Sequence, residues 1–503
     1  MYLREDDKIW IASGDGGANP IYLLPKMATR HGLVTGATGT GKTTTIKVMA
    51  EAFSEMGTSV FMADIKGDVS GMCKPGTPSP IIDERVRTMG LLDFTFTGYP
   101  VRFFDVYAKQ GIPVRTTVSR MGPVLLARIL GLNDTQAGVL QIVFRVADDN
   151  GLLMLDFKDL RSMVQYVGEN AKDFTVQYGN VASASIGAIQ RGLLTLESAG
   201  GDLFFGEPAL DLQDWFGFDE RGRGVINILD CVTLFQNPLL YSTFLLWMLS
   251  ELYELMPEVG DLDKPKMVFF FDEAHLLFND APKALLQKIE QVIRLIRSKG
   301  IGIYFITQSP SDIPNTVLAQ LGNKVQHALR AYTPNDQKAI KAAAASFRPN
   351  PAFNSETAIS ELATGEALIS ALDEKGAPQM IERGFILPPR CNFGVAEPEL
   401  IEQITRATPL YTKYYQSYDR YSAYEALDEM AQRRELQRER DELEAQLQKE
   451  KLEKEKAAAK AAAKPAAKKT SSPVNKVVSS SMSQIGRDIG RELTRGIFGT
   501  IKR

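Results

Sequence analysis

The sequence predicts an α/β fold built on a mostly parallel sheet. Three observations predict it. Apolar runs at 31–35, 58–63, 101–106, 224–229, 266–271, 301–306 and 324–329 have the length and composition of buried strands. Helix-like stretches at 43–56, 239–255 and 282–298 fall between several of them, as the crossovers of parallel strands require. The run at 31–35 leads into a glycine-rich loop that opens a helix.

That loop, Gly36-Ala37-Thr38-Gly39-Thr40-Gly41-Lys42-Thr43, matches G-x-x-x-x-G-K-[ST]. Its glycines let successive backbone N–H groups turn onto phosphate oxygens, and the following helix adds the positive end of its dipole. Gly36, Ala37, Thr38, Gly39, Thr40, Gly41, Lys42, Thr43 and Thr44 are therefore expected to hold a nucleoside triphosphate. Lys42 is placed to reach the β- and γ-phosphates, and the Thr43 hydroxyl to sit on Mg²⁺.

At 503 residues the chain exceeds one ordinary domain, and 44% apolar with 24% charged residues is a globular composition. No apolar run is long enough for a membrane-spanning helix, and the first residues lack the basic-then-apolar order of a secretory signal. Cys73, Cys231 and Cys391 are isolated, which speaks against a disulfide framework or a zinc site. His31, His275 and His327 are too scattered to suggest a metal centre. A reducing cytoplasm is the expected compartment. The net charge is −3, unevenly spread: residues 433–503 hold 18 Lys and Arg against 10 Asp and Glu, leaving 40 against 51 elsewhere. An acidic body must meet any polyanion through a local patch, a channel or the basic tail.

The order of elements divides the chain into six parts. Residues 1–119 form the first part of the α/β core, and 120–215 change to apolar helical periodicity and read as a helical insertion. Residues 216–415 complete the core, with a terminal hairpin at 366–371 and 378–384. Residues 416–456 carry an exposed charged helix, in which Leu436, Leu443 and Leu447 hint at a coiled-coil seam that Arg440 and Glu450 interrupt. The Ala/Lys/Ser/Pro stretch 457–481 reads as a linker or disordered. Residues 482–503 read as a basic amphipathic helix, with Ile485, Ile489, Leu493 and Ile497 on one stripe, which could touch anionic lipid or hold nucleic acid but by default docks on protein.

The chemistry needs a second half. Five apolar residues, Met267 to Phe271, end in Asp272 and Glu273, as a buried central strand would when it delivers two carboxylates beside the phosphate loop. Asp272 is expected to hold Mg²⁺ and Glu273 to polarise the water that attacks the γ-phosphate. Gln308, at the end of the next strand, can sense that phosphate. Asp64 ends the strand after the loop's helix and either positions water or Mg²⁺ or caps its own turn. Residues 272–275 spell Asp-Glu-Ala-His, a string found in two-lobed helicases. That architecture needs a second α/β lobe with its own arginine motif, and no Q-x-x-G-R-x-G-R pattern follows Gln308, so His275 is read as a packing residue.

These motifs resemble the HerA–FtsK superfamily of ring-forming P-loop ATPases, and specifically the bacterial stand-alone HerA-like ATPases. The likeness rests on His31 through Thr43, Asp64-Ile65-Lys66-Gly67-Asp68, Phe269 through His275, Arg294 through Gly300, Thr307-Gln308 and Gln326 through Arg330. Together they span about residues 20–390. The resemblance implies a RecA-like core, ATP as the nucleotide, a homo-hexamer with sites between subunits, and an arginine given to the neighbour's γ-phosphate. Arg297, eleven positions before Gln308, fits that arginine, with Arg294 and Arg330 as alternatives. Arg330 is also a candidate nucleotide contact. Only 35 residues precede the loop, too few for the N-terminal β-barrel of HerA proper.

Three functions compete: a hexameric ATPase that translocates along or unwinds DNA, a protein-directed ATPase related to secretion-coupling pumps, and a small-molecule phosphotransferase. Glu273 favours hydrolysis over transfer to an acceptor.

Overall fold

The computed structural model describes residues 1–91, 93–278 and 283–462, and it divides into two units, 1–430 and 431–503. The first unit is organised by one thirteen-stranded sheet. In chain order its strands are β1 (Tyr2–Leu3), β2 (Lys8–Gly14), β3 (Asn19–Leu23), β4 (Gly32–Thr35), β5 (Ser59–Asp64), β6 (Val101–Asp105) and β7 (Ile112–Pro113). There follow β8 (Ile226–Asp230), β9 (Met267–Phe271), β10 (Ile301–Thr307), β11 (Asn323–His327), β12 (Glu366–Ser370) and β13 (Glu382–Ile386).

The order β7-β6-β8-β5-β9-β10-β4-β11 is parallel throughout. Beyond β11 the sheet turns antiparallel through β12, β13 and β2, and β2 also pairs with β1 and β3. The strands β4, β5, β9 and β10 are buried along their whole length, which explains why they read as unbroken apolar runs.

Alternate side chains of these strands feed two cores. Val60, Met62, Val268, Phe270 and Ile306 face the helix Lys42–Glu55 through Ile46, Met49 and Phe53. Phe61, Phe269, Phe271 and Phe305 face the opposite way. There they meet the helix Pro238–Leu255 and the segment read as the insertion, which carries helices Val118–Ile129, Asp134–Asp149, Phe157–Glu169, Ala171–Tyr178 and Ser183–Leu196. Reciprocal caps start two of these helices, at Asn133 and Asp156. The segment ends in fully buried Trp215, whose ring lies 4.7 Å from that of Phe61, locking the insertion beneath β5.

Two features differ from the sequence reading. The antiparallel wing β1–β3 was not foreseen, because Gly14, Gly16, Gly17 and Pro20 break the apolar pattern that marks a strand. The charged helix runs Ala423–Ala462, past the expected linker boundary at 457. Its last turns are Ala and Lys, strong helix formers that outweigh the low complexity of the run. Of the second unit, residues 431–460 are exposed throughout, as a solvated helix requires. The rest of the linker and the basic helix at 482–503 lie outside the described residues. No helix among the described residues is long and apolar enough to cross a membrane.

Candidate active site

Parallel register brings four strand ends to one edge. Thr307 pairs with Thr35, while Phe271 pairs with both Phe305 and Ala63. The phosphate loop after β4, Gln308 after β10, Asp272 and Glu273 after β9, and the turn after β5 therefore share the carboxyl edge of the sheet. β10 stands between the loop strand and the acidic strand.

The loop has the backbone its glycines allow. Gly36 has φ 152° and Gly41 φ 118°, and a Cβ on Gly36 would lie 2.5 Å from the His327 Cβ. At Gly39 a Cβ would meet nothing within 4 Å, so the tip of the loop is open. His327 braces it from behind. Its Nδ1 donates to the Glu366 carbonyl at 3.0 Å, so Nε2 is the acceptor for the Thr45 hydroxyl at 2.8 Å.

Lys42 is folded back onto its own loop, with Nζ donating to the carbonyls of Gly36 at 2.6 Å and Ala37 at 3.1 Å. Burial, and then the Lys66 charge, lowers its pKa. Thr43 Oγ1 donates to Asp68 Oδ2 at 3.1 Å. Lys66 Nζ lies 2.6 Å from Glu273 Oε1 and 3.6 Å from Asp272 Oδ2. Burial raises the Asp272 pKa, against the opposing pull of Lys66. Glu273 adopts φ 46°, an uncommon left-handed conformation for a side-chain-bearing residue. Its Oε2 is buried and makes no hydrogen bond, although His275 Nδ1 stands 3.3 Å away. His275 is thus half-buried beside the carboxylate and not packed in the core, which corrects the packing role read from the sequence. A cavity of about 330 Å³ opens between Ala37, His275, Gln308 and Arg330. The Arg330 guanidinium donates to the carbonyls of Ser360 and Leu362 at its wall.

Asp64 does not face this cluster. Its carboxylate accepts the backbone N–H groups of Gly67, Asp68 and Val69 at 2.8, 3.2 and 3.2 Å, the capping alternative. The device recurs: Asp105 caps the turn after β6 through the N–H groups of Tyr107, Lys109 and Gln110. An aspartate ending a parallel strand satisfies the N–H groups of the loop that follows. Burial, together with Asp68, pushes Asp64 up to about 7. The residues its turn presents, Lys66 and Asp68, are the ones sequence reading missed. They sit inside a recognised motif, yet nothing in their order says which side chains point inward.

Arg297 lies at the other end of the molecule's central strand. It precedes β10, whose far end carries Gln308, and its Nη2 donates to Asp261 Oδ1 at 2.7 Å. Arg294 is exposed on the preceding helix.

The donor set fits a magnesium ion. The Thr43 hydroxyl and the carboxylates of Asp68 and Asp272 are hard oxygens within one cluster, and a buried Glu273 oxygen there still lacks a hydrogen bond.

A phosphate loop and an acidic strand end on one parallel sheet edge define a P-loop nucleotide hydrolase. The chain belongs to the helicase HerA-like C-terminal family, whose profile matches residues 11–503. It is 29% identical over 125 residues to the probable helicase MJECL08 of Methanocaldococcus jannaschii, a match covering 24% of this chain and 22% of that one. The chain thus spans about a fifth of that curated relative. Among solved structures, plasmid coupling protein TrwB in complex with ADP and Mg²⁺ superposes with a TM-score of 0.51 at 14% identity, over 79% of this chain and 96% of the other. VirB4 of Thermoanaerobacter pseudethanolicus gives 0.46 at 15% identity, over 75% and 96%. The TrwB likeness is one of fold.

Proposed function

We propose that this protein is an ATP-hydrolysing hexameric motor that moves along or unwinds DNA. The observation that carries the proposal is the meeting of Lys42, Thr43, Asp272 and Glu273 in one ion cluster at the sheet edge. Main-chain N–H groups of 36–44 bind the triphosphate, and Lys42 leaves its two carbonyls to neutralise the β- and γ-phosphates. Magnesium, when bound at Thr43 and Asp272, supplies charge neutralisation on the phosphate oxygens. Glu273 accepts a proton as water attacks the γ-phosphorus and the bond to the β–γ bridging oxygen breaks, releasing ADP and phosphate. Gln308 orients at the γ-phosphate, Arg330 lines the adjoining cavity, and Arg297 serves the neighbouring subunit's site. In this reading 120–215 is an insertion between the two parts of the core, and 482–503 captures a protein partner.

The support for DNA is the family and the printed name of one relative. The test is ATP turnover of a verified hexamer, with and without single- and double-stranded DNA. Stimulation by DNA is expected, with turnover abolished in Lys42→Ala and Glu273→Gln. Turnover unchanged by saturating DNA overturns the DNA reading and leaves the hydrolase. A phosphorylated small molecule formed in place of free phosphate overturns both.

A further inference from the structure

The cluster at the carboxyl edge contains a cation that the nucleotide reading does not use. Lys66 bridges Glu273 at 2.6 Å and Asp272 at 3.6 Å, and both carboxylates are almost wholly buried. Two adjacent buried carboxylates, with Asp68 nearby, repel one another unless a positive charge lies between them. Lys42 feels both carboxylates but makes no ion pair with either, its ammonium donating to the Gly36 and Ala37 carbonyls. Lys66 does, from a turn that Asp64 holds rigid through three N–H groups.

We infer that Lys66 is a resident counter-cation that competes with the divalent metal for Asp272 and pairs with Glu273 in the meantime. It holds Glu273 out of action until a metal–nucleotide complex displaces it. The inference rests on the assignment of these carboxylates to a metal–nucleotide site. Its logic is charge replacement. Without nucleotide the lysine satisfies the carboxylates, so a free metal ion must break an ion pair to enter. With nucleotide the incoming metal neutralises Asp272, and the phosphates draw the ammonium away from Glu273. Lys66 is half exposed on a flexible stem, so it can swing without disturbing the strand ends.

The experiment measures Mn²⁺ binding to the full-length, nucleotide-free protein by paramagnetic resonance of the free ion. Lys66→Met is expected to bind Mn²⁺ about tenfold tighter than wild type, the effect of removing one partly solvated competing charge. Lys66→Arg is expected to match wild type, and Asp272→Asn added to Lys66→Met to erase the gain. Equal Mn²⁺ affinity in wild type and a folded Lys66→Met protein overturns the inference. Should Lys66→Met fail to fold, the wild-type structure with Mg²⁺ and a non-hydrolysable ATP analogue decides. Separation of Lys66 Nζ from Glu273 Oε1 supports the inference, and retention of their contact beside bound nucleotide overturns it alone. No nucleotide at 36–43 overturns the hydrolase reading and the inference together.

Discussion

Arg297 Nη2 donates to Asp261 Oδ1 at 2.7 Å, on the edge of the sheet opposite the phosphate loop. The seven residues of β10 separate that edge from Gln308, roughly 20 Å at strand rise. Arg297 therefore cannot reach the loop of its own chain. Asp261 is largely exposed, so the pair contributes little stability and opens readily. Arg297→Ala is expected to lower kcat about 10³-fold in the assembled protein, with nucleotide affinity unchanged. Mixing Arg297→Ala with Glu273→Gln should restore part of the turnover, because some interfaces then pair an intact Glu273 with an intact Arg297. Mixtures that stay as inactive as either parent would show that the arginine does not act across subunits.

His275 stands 3.3 Å from the one Glu273 oxygen that lacks a hydrogen bond, while Lys66 holds the other. Once Lys66 leaves, the imidazole is the remaining neighbour that fixes the carboxylate's direction. His275→Ala should reduce kcat about tenfold with KM little changed, the size of loss typical of an orienting partner. His275→Asn, which keeps a donor in place, should recover most of it. Steady-state kinetics with both variants provide the check; a loss confined to KM would assign His275 to nucleotide binding instead.

The parallel core was legible because its strands are buried on both faces and therefore apolar at every position, as at Met267–Phe271. The loop was legible because each of its glycines answers a backbone demand, as Gly36 does against His327. The antiparallel wing was not, since β2 takes its place in the sheet by pairing with β13, a strand far along the chain, as Phe385 against Ser13 shows. Within the site the same divide appears. Glu273 follows from strand position, whereas the choice between Asp64 and Asp68 depends on how one turn folds. Asp64 turns inward to cap it, and Asp68 turns out to Thr43.

Residues 431–460 are exposed, Leu436 and Leu443 more than half so. A chain ending at Met430 is expected to keep its nucleotide affinity, and to shift Tm by less than about 2 °C, as removal of solvated residues should. Calorimetry and nucleotide titration of the truncated protein test this. A large fall in Tm would mean that the helix is covered in the assembled protein, by a second copy or a partner.

His327 makes the phosphate loop sensitive to acid. Burial lowers its pKa to about 4 from the ordinary 6.5, and the neutral ring is the one that joins Thr45 to the Glu366 carbonyl. Between those two pH values the unfolded chain holds a proton that the folded chain refuses. The stability this ring contributes is therefore complete above about 6.5 and is lost as pH falls toward 4. His31, lowered to about 4 by burial, acts in the same sense. Glu51 and Asp64 act oppositely: burial raises both to about 7, so their contribution declines as pH rises through that window. The whole-chain profile blends the two, and a difference measurement separates them. His327→Gln should cost about 1–3 kcal/mol at pH 7.5, where two buried hydrogen bonds are compromised. At pH 5 the wild type has already given up part of that advantage, so the gap between the two proteins should narrow. Denaturant unfolding of both proteins at pH 7.5, 6 and 5 reads the trend, and a gap that stays constant across it would leave His327 with no part in the acid response.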